Sequence, residues 1–329
     1  MNTAITVKTA LVLGASGGIG GEVARSLRVH GWQVRALVRN RASAPRIDGV
    51  EWLEGDAMNG ADVLAAAQGV SVIVHAVNPP GYRNWGTLVL PMIDNTIAAA
   101  QAVGARIVLP GTLYNYGSGT AQPLRETTRQ QPSSRKGAIR VEMERRLSEA
   151  SAKGCSVLVV RAGDFFGPRA GNNWFSQGLV KPGTPLRSVT YPGAPGVGHG
   201  WAYLPDLADT MVRLLEQGAQ LAAFDTFHFR GHWDADGTGM TEAIRHAVGE
   251  DVPVKRLPWI VLRLLMPFVT VFREMVEMRY LWREAFELDN RKLVALIGAE
   301  THTPLNEAVR TALDALGCLE HALPATQCA

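Results

Sequence analysis

The feature that most constrains this chain is a run of glycines held between a strand and a helix. Thr9–Leu13 reads as a strand, with Ala10-Leu11-Val12-Leu13 continuously apolar, and Gly18–His30 carries helical spacing. Between them stands Gly14-Ala15-Ser16-Gly17-Gly18-Ile19-Gly20, a Gly-x-x-Gly-x-x-Gly pattern. Glycine lets a backbone turn sharply and approach a diphosphate closely, and the N–H groups at a helix start donate to it. Glycines also make ordinary turns. A strand before, a helix after and a place in the first β-α-β unit turn this pattern into a dinucleotide-binding expectation. Gly14, Ser16, Gly17, Gly18, Ile19 and Gly20 are its phosphate-loop residues.

Strand-like runs recur at Gln33–Val38, Val50–Leu53, Val70–His75, Arg106–Leu109 and Ser156–Arg161. Helical patterns at Gly60–Gln68, Gly86–Val103 and Ser134–Lys153 separate them. This order predicts an α/β fold with a doubly wound parallel sheet, the Rossmann arrangement. After Arg161 the alternation stops. Residues 163–200 are rich in Gly and Pro, interleaved with Trp174 and Phe175 and followed by Trp201, and read as long loops over the open edge of the sheet. A helix at Pro205–Gln217 and a strand at Phe224–Phe229 are predicted to return to the sheet, and 239–317 to be largely helical. The expected division is a dinucleotide-binding domain over 1–162, with 203–230 returning to it. Residues 163–202 and 231–329 form a smaller, mainly helical C-terminal substrate region.

Composition excludes several classes. Of 329 residues, 19% are charged and 47% hydrophobic, which supports a packed core and not a solvated chain. The net charge is only +3 and no Lys/Arg block occurs, so no nucleic-acid partner is expected. Cys155, Cys318 and Cys328 form no Cys-x-x-Cys pair, and His199, His228 and His232 lack ligand spacing, so neither a disulfide framework nor a metal is expected. Residues Met1–Lys8 carry no secretory pattern. Leu257–Phe272 is interrupted by Pro258, Arg263 and Pro267 and is too short an apolar run to span a bilayer. The expectation is a cytoplasmic protein with no membrane partner that acts on a small-molecule substrate. The apolar face of Phe272–Trp282 either packs on its own domain or forms a homodimer contact.

The second strand ends Ala36-Leu37-Val38-Arg39-Asn40-Arg41, without the carboxylate that takes ribose hydroxyls in an NAD binder. Arg39 can pair bidentately with a 2′-phosphate, with Arg41 and Ser16 assisting. The alternative is that both arginines are solvated loop charges. NADP(H) is expected over NAD.

With Gly14–Gly20, Glu54-Gly55-Asp56, Val74-His75-Ala76-Val77-Asn78, Arg161-Ala162-Gly163-Asp164-Phe165-Phe166-Gly167-Pro168 and His199–Ala208 in order, the chain resembles the extended and atypical short-chain dehydrogenase/reductase superfamily. The likeness includes its epimerase/dehydratase-like and NmrA-like branches and covers nearly the whole chain. It implies Asp56 against the adenine and Ala76, Val77 and Asn78 along the nicotinamide ribose. That superfamily uses a Ser or Thr after the fifth strand and a Tyr-x-x-x-Lys pair on the next helix, four residues apart on one face. Here Leu109–Gly117 resembles the first segment and sets Thr112 at the hydroxyl position. Pro132–Arg140 aligns with the second, setting Lys136 at the tyrosine position and Arg140 at the lysine position, and no Tyr-x-x-x-Lys occurs anywhere.

Two readings follow. In the active one, Arg140 binds the ribose and Lys136 donates the proton, its charge made easier to lose by burial and a neighbouring guanidinium; alternatively Tyr114, beside Thr112, supplies the hydroxyl. In the other, Lys136 and Arg140 are surface charges facing Glu144 and hydride chemistry is gone. The expected function is an NADP(H)-dependent oxidoreductase acting on a small carbonyl or alcohol. The alternatives are an NmrA-like NADP-sensing regulator and, more weakly, a nucleotide-sugar epimerase or dehydratase. His75 reads as a satisfied core histidine. Asp164 is a substrate contact or an Asx turn, and Trp174 and Phe175 are pocket walls or loop anchors.

Overall fold

The structure is a computed structural model that describes residues 8–79, 84–169, 171 and 173–320; Met1 to Val7, Cys328 and the end of the polar tail lie outside the described residues. In chain order the first elements are β1 (Thr9–Leu13), α1 (Gly18–Val29), β2 (Gln33–Val38), β3 (Val50–Glu54), α2 (Gly60–Ala66) and β4 (Val72–His75). Next come α3 (Trp85–Val103), β5 (Arg106–Gly111), α4 (Arg135–Ser151), β6 (Val157–Arg161), β7 (Asp164–Phe166) and β8 (Val189–Tyr191). These are followed by β9 (His199–Tyr203), α5 (Leu204–Glu216), β10 (Phe224–His228), β11 (His232–Asp234) and α6 (Gly239–Val248). The later elements are β12 (Val254–Arg256), α7 (Trp259–Leu265), α8 (Thr270–Glu277), α9 (Arg291–Ile297) and α10 (Leu305–Ala315).

Local chemistry sets the boundaries. Ser134 caps α4, its hydroxyl accepting from the Gly137 N–H at 3.0 Å. Gly104 ends α3 in the left-handed conformation, φ 70°, where a side chain would be strained. Pro205 lies in the first turn of α5, where its missing N–H costs nothing.

Seven strands form one parallel sheet in the order β10-β6-β5-β4-β1-β2-β3. Both faces of its central strands are covered. Val12, with Val23, Ala24 and Leu27 of α1, packs against Leu207 and Met211 of α5. On the other face Leu11, Ile73 and Ile107 meet Val89 and Ile93 of α3 and Met143 and Leu147 of α4. That two-sided burial is why the strands read as continuous apolar runs. Chain order runs outward from β1 in one direction and from β4 in the other, so the two central strands flank the topological switch point, where open sheets of this kind bind ligands.

The segment read as loops, 163–200, holds more structure than its composition suggested. β7 and β11 flank β9 in a three-stranded sheet, and β8 pairs with β12. Phe175 is fully buried beside Phe166, their ring centroids 5.7 Å apart. With Trp201, Ile244, Trp282 and Leu313 these aromatics build a separate hydrophobic cluster beyond the sheet. Glycine and proline counts hid this because the pairing partners lie far downstream.

Polar bonds also fasten α1 to α5. His30, just past α1, has Nε2 2.9 Å from Asp209 Oδ1 and Nδ1 3.2 Å from Glu216. Partial burial by itself lowers its pKa, but the hydrogen bonds and charges of Asp209 and Glu216 prevail, and the pKa is raised above 6.5. The stabilisation is therefore complete below the unfolded value and is lost as pH rises through the raised one. Replacing His30 by Gln should lower the melting temperature more at pH 5.5 than at pH 8.5, and thermal unfolding of both proteins across that range checks the sign.

Candidate functional site

The glycine run lies at the carboxyl end of β1, against the end of β4. Gly14 has φ +89°, and a Cβ there would sit 2.6 Å from the Ala76 carbonyl and 2.7 Å from the Val77 nitrogen. A Cβ on Gly20 would fall 2.2 Å from the Gly14 oxygen, so α1 approaches the loop only because that position has no side chain. Gly17 N–H donates to Gly14 O at 2.9 Å, closing the turn. Ser16 and Gly17 are exposed, and no side chain caps the first turn of α1. Gly18 and Ile19 are half-buried as the helix begins. The mouth is open, and its backbone amides are suited to an anion. Across it, Arg169 clamps Glu22 of α1 with Nε and Nη2 at 2.7 and 3.0 Å, tying the segment after β7 to the loop's helix.

Around this mouth, Arg39 is exposed just beyond β2 and forms no ion pair among the described residues. Arg41 donates its N–H to Glu54 at 3.3 Å, and Asn40 caps the short turn that follows, accepting from Ala42 at 2.9 Å. Asp56 accepts from the Met58 N–H at 3.0 Å, an Asx turn shaping the strand end. Ala76 donates to Leu13 O at 2.9 Å, extending the β1–β4 pairing, with half-buried Val77 and exposed Asn78 following.

A pocket of about 110 Å³ opens beyond the ends of β4, β5 and β6. Asn78, Thr112, Tyr114, Arg140, Asp164 and His199 supply its polar wall, and Trp85, Trp174, Leu281 and Phe286 the apolar one. Beneath lies a buried ion pair. Arg161, 1% exposed at the end of β6, reaches Glu144 of α4 with Nη2 2.8 and 3.0 Å from the two carboxylate oxygens. Its Nη1 donates to the Thr112 carbonyl at 2.6 Å, and its guanidinium lies over the Tyr116 ring at 5.3 Å. Asn115 and Gln130 donate to the same carboxylate at 2.9 and 2.6 Å. One network thus fixes the turn carrying Thr112 and Tyr114 to α4. Within that turn the Thr112 hydroxyl accepts from the Tyr114 N–H at 3.3 Å.

Of the residues singled out for catalysis, Thr112, Tyr114 and Arg140 share the pocket wall, the last with its guanidinium 5.2 Å from the Trp85 ring. Lys136 does not line the pocket. It is buried with Nζ 2.7 Å from Glu274 of α8, while Glu277 accepts the N–H groups of Arg135 and Lys136. Lys136 is therefore not a surface charge facing Glu144. Buried Arg161 holds that carboxylate, and a buried guanidinium needs one.

The wall also carries a pair whose members were read separately, His199 for metal spacing and Asp164 as a substrate contact or an Asx turn. His199, opening β9, has Nε2 2.9 Å from Asp164 Oδ2 of β7, and its ring stacks on Trp282 at 3.9 Å and 9°. Parallel pairing of β7 with β9 brings them together, with Asp164 opposite Trp201. His75 is a core residue, its Nδ1 2.8 Å from the Thr96 hydroxyl. Burial, and secondarily the Arg140 charge, lower its pKa to about 3 and keep it neutral. Among the described residues, no group of His, Cys, Asp and Glu could hold a metal ion, and no helix is long and apolar enough to cross a membrane.

The profile of the NAD dependent epimerase/dehydratase family matches residues 10–228. The chain belongs to that family. The match runs from β1 to the last residue of β10 and so takes in the entire parallel sheet of this epimerase/dehydratase family member. No curated protein matches the chain at a significant level. Among solved structures, UDP-glucose 4-epimerase from Bifidobacterium longum, in complex with NAD+ and UDP, is 15% identical with a TM-score of 0.72, covering 93% of this chain and 97% of its own. UDP-glucose-4-epimerase from Stenotrophomonas maltophila, with bound NAD and formylated UDP-arabinopyranose, is 14% identical with a TM-score of 0.73 over 94% and 98%. UDP-glucose 4-epimerase from Brucella ovis, in complex with NAD, gives 16% and 0.73 over 94% and 99%. At such identities the likeness is one of fold.

Removing one partner of the buried pair leaves an uncompensated charge. Glu144→Ala should destabilise this family member by about 3–5 kcal/mol, read as a lower urea midpoint, and Glu144→Gln by less.

Proposed function

We propose that this epimerase/dehydratase family member is an oxidoreductase that uses a nicotinamide dinucleotide, NADP(H) in preference to NAD, on a small carbonyl or alcohol. The observation that carries the reading is the pairing of an open glycine-lined mouth at the switch point with a pocket whose wall holds Thr112, Tyr114, Arg140 and the Asp164–His199 pair. The dinucleotide, when bound, supplies or accepts the hydride. The mouth fits a diphosphate because Gly14 and Gly20 bring backbone amides where any Cβ would intrude. Asp56 takes the adenine side, and Ala76, Val77 and Asn78 the nicotinamide ribose. The relatives named above are bound to NAD or NAD+. This chain carries Arg39 beyond β2, exposed and in no ion pair among the described residues, where it can grip a 2′-phosphate.

In this reading Arg140 binds the ribose hydroxyls, Thr112 orients the substrate oxygen and Tyr114 passes the proton. Lys136 is a positioning residue, because Glu274 engages its ammonium away from the pocket wall. Asp164 accepts from His199 Nε2 and so holds the imidazole in one tautomer and orientation beside the substrate. The alternative epimerase or dehydratase reading on a nucleotide sugar would draw on the same pocket wall. The NADP-sensing reading is favoured by one feature: a fastened lysine stands where the superfamily's tyrosine belongs.

NADPH should bind more tightly than NADH by roughly tenfold or more, the worth of a charge-assisted hydrogen bond or two, and Arg39→Ala should abolish the difference. Equal affinities in the parent protein, measured by fluorescence titration, would remove the 2′-phosphate argument. On a carbonyl panel followed by NADPH oxidation, Tyr114→Phe should lower kcat by about 100-fold or more, whereas folded Lys136→Gln stays within a few-fold of the parent. Tight NADPH binding with no turnover across the panel supports the sensor instead.

A further inference from the structure

The helical pair α7–α8 carries a surface that the sheet and the pocket do not explain. Seven of the twelve large hydrophobic residues exposed among the described residues fall within 260–271. Phe268 is 85% exposed, Ile260 76% and Leu264 70%, with Val261, Leu265 and Val271 beside them. Single exposed apolar residues are ordinary on soluble proteins, but a contiguous set marks a surface that something covers. Spacing of four sets Ile260 with Leu264 and Val261 with Leu265, while Leu262 turns inward and is buried. The root of the pair is anchored: Trp259 donates its indole N–H to the Pro192 carbonyl at 2.9 Å, and its ring packs on Trp174 at 6.2 Å. The apolar face is thus held outward on a fixed base.

Charge identifies the occupant. From Val252 to Arg273 no acidic residue occurs, whereas Lys255, Arg256, Arg263 and Arg273 do, all exposed. Arg273 lies 3.6 Å from Glu274; Lys255, Arg256 and Arg263 form no ion pair among the described residues. Arg279 and Arg283 add to the same surplus, and Arg279 is close enough to Arg263 and Arg283 to be perturbed by their charges, after burial. A second copy of the chain docked through this face would meet it by two-fold symmetry and bring like cations together. Anionic headgroups instead neutralise the cations while the apolar side chains enter the acyl boundary.

We propose that α7 and α8 form a peripheral docking surface for an anionic lipid bilayer. The pair lies in the interface and does not cross it, since α7 at ~1.5 Å per residue spans about 10 Å against a hydrocarbon core of about 30 Å. The surface stands independently of the reading of the pocket. It goes beyond the expectation of no membrane partner, which tested only a spanning segment.

Co-sedimentation of the full chain with phosphatidylcholine vesicles, with and without phosphatidylserine, tests this. Binding is expected to the serine-containing vesicles and to weaken with added salt. The Leu264→Asp, Phe268→Asp double variant should lose it. Arg256→Gln with Arg263→Gln should weaken it by about tenfold or more, each cation near an anionic surface contributing roughly fivefold. Both variants should keep the parent's melting temperature and NADPH affinity, since these side chains support neither the core nor the pocket. Failure to sediment with either vesicle overturns the proposal. So does a dimer in solution that Leu264→Asp, Phe268→Asp converts to monomer, which assigns the face to self-association. Salt-insensitive binding to both vesicles alike removes the electrostatic part and overturns the anionic assignment.

Discussion

A single buried ion pair holds this fold's working end together. Arg161 sits at the end of β6, Glu144 on α4, and the Thr112 carbonyl on the turn after β5, and the Arg161 guanidinium touches the other two. Burial alone would weaken the hold of Arg161 on its proton; the Glu144 carboxylate and the Tyr116 hydroxyl outweigh it and keep the charge in place. Such a pair is costly to desolvate, so its contribution lies less in net stability than in geometry. It fixes which side chains the turn presents, and Asn115 and Gln130 satisfy the carboxylate positions that the arginine leaves.

The second constraint is steric. Gly14 and Gly20 bring β1, α1 and the end of β4 within distances that no Cβ permits. The loop mouth and the pocket thereby come to adjacent sites at the switch point, one lined by backbone amides and the other by side chains. A dinucleotide laid along the strand ends would reach from one to the other, the division of labour expected of open parallel sheets.

Most of the sheet was legible in the sequence because its determinants are local. Apolar runs such as Ala10–Leu13, the glycine spacing and the alternation of strand and helix each act within a few residues. The glycine turn after β1 was legible for the same reason, since its amides belong to consecutive residues. The pocket was legible only in part. Thr112, Tyr114 and Arg140 follow from position in the resembling pattern, but Lys136 takes its partner from 138 residues downstream, and nothing near it in the chain announces Glu274. Asp164 and His199 meet through strands 35 residues apart whose pairing has no local signature. The strand β8 was hidden among glycines and prolines because its partner, β12, lies more than sixty residues later.

The contact between Lys136 and Glu274 bears on where the polypeptide can be divided. An ammonium that is 3% exposed beneath α4 draws its neutralising charge from a helix well past the last strand of the parallel sheet. Excision of everything after β10 would remove that carboxylate and strip the Glu277 acceptors from the start of α4. The later helices are therefore no detachable appendage: they supply carboxylates to a helix that packs on the parallel sheet.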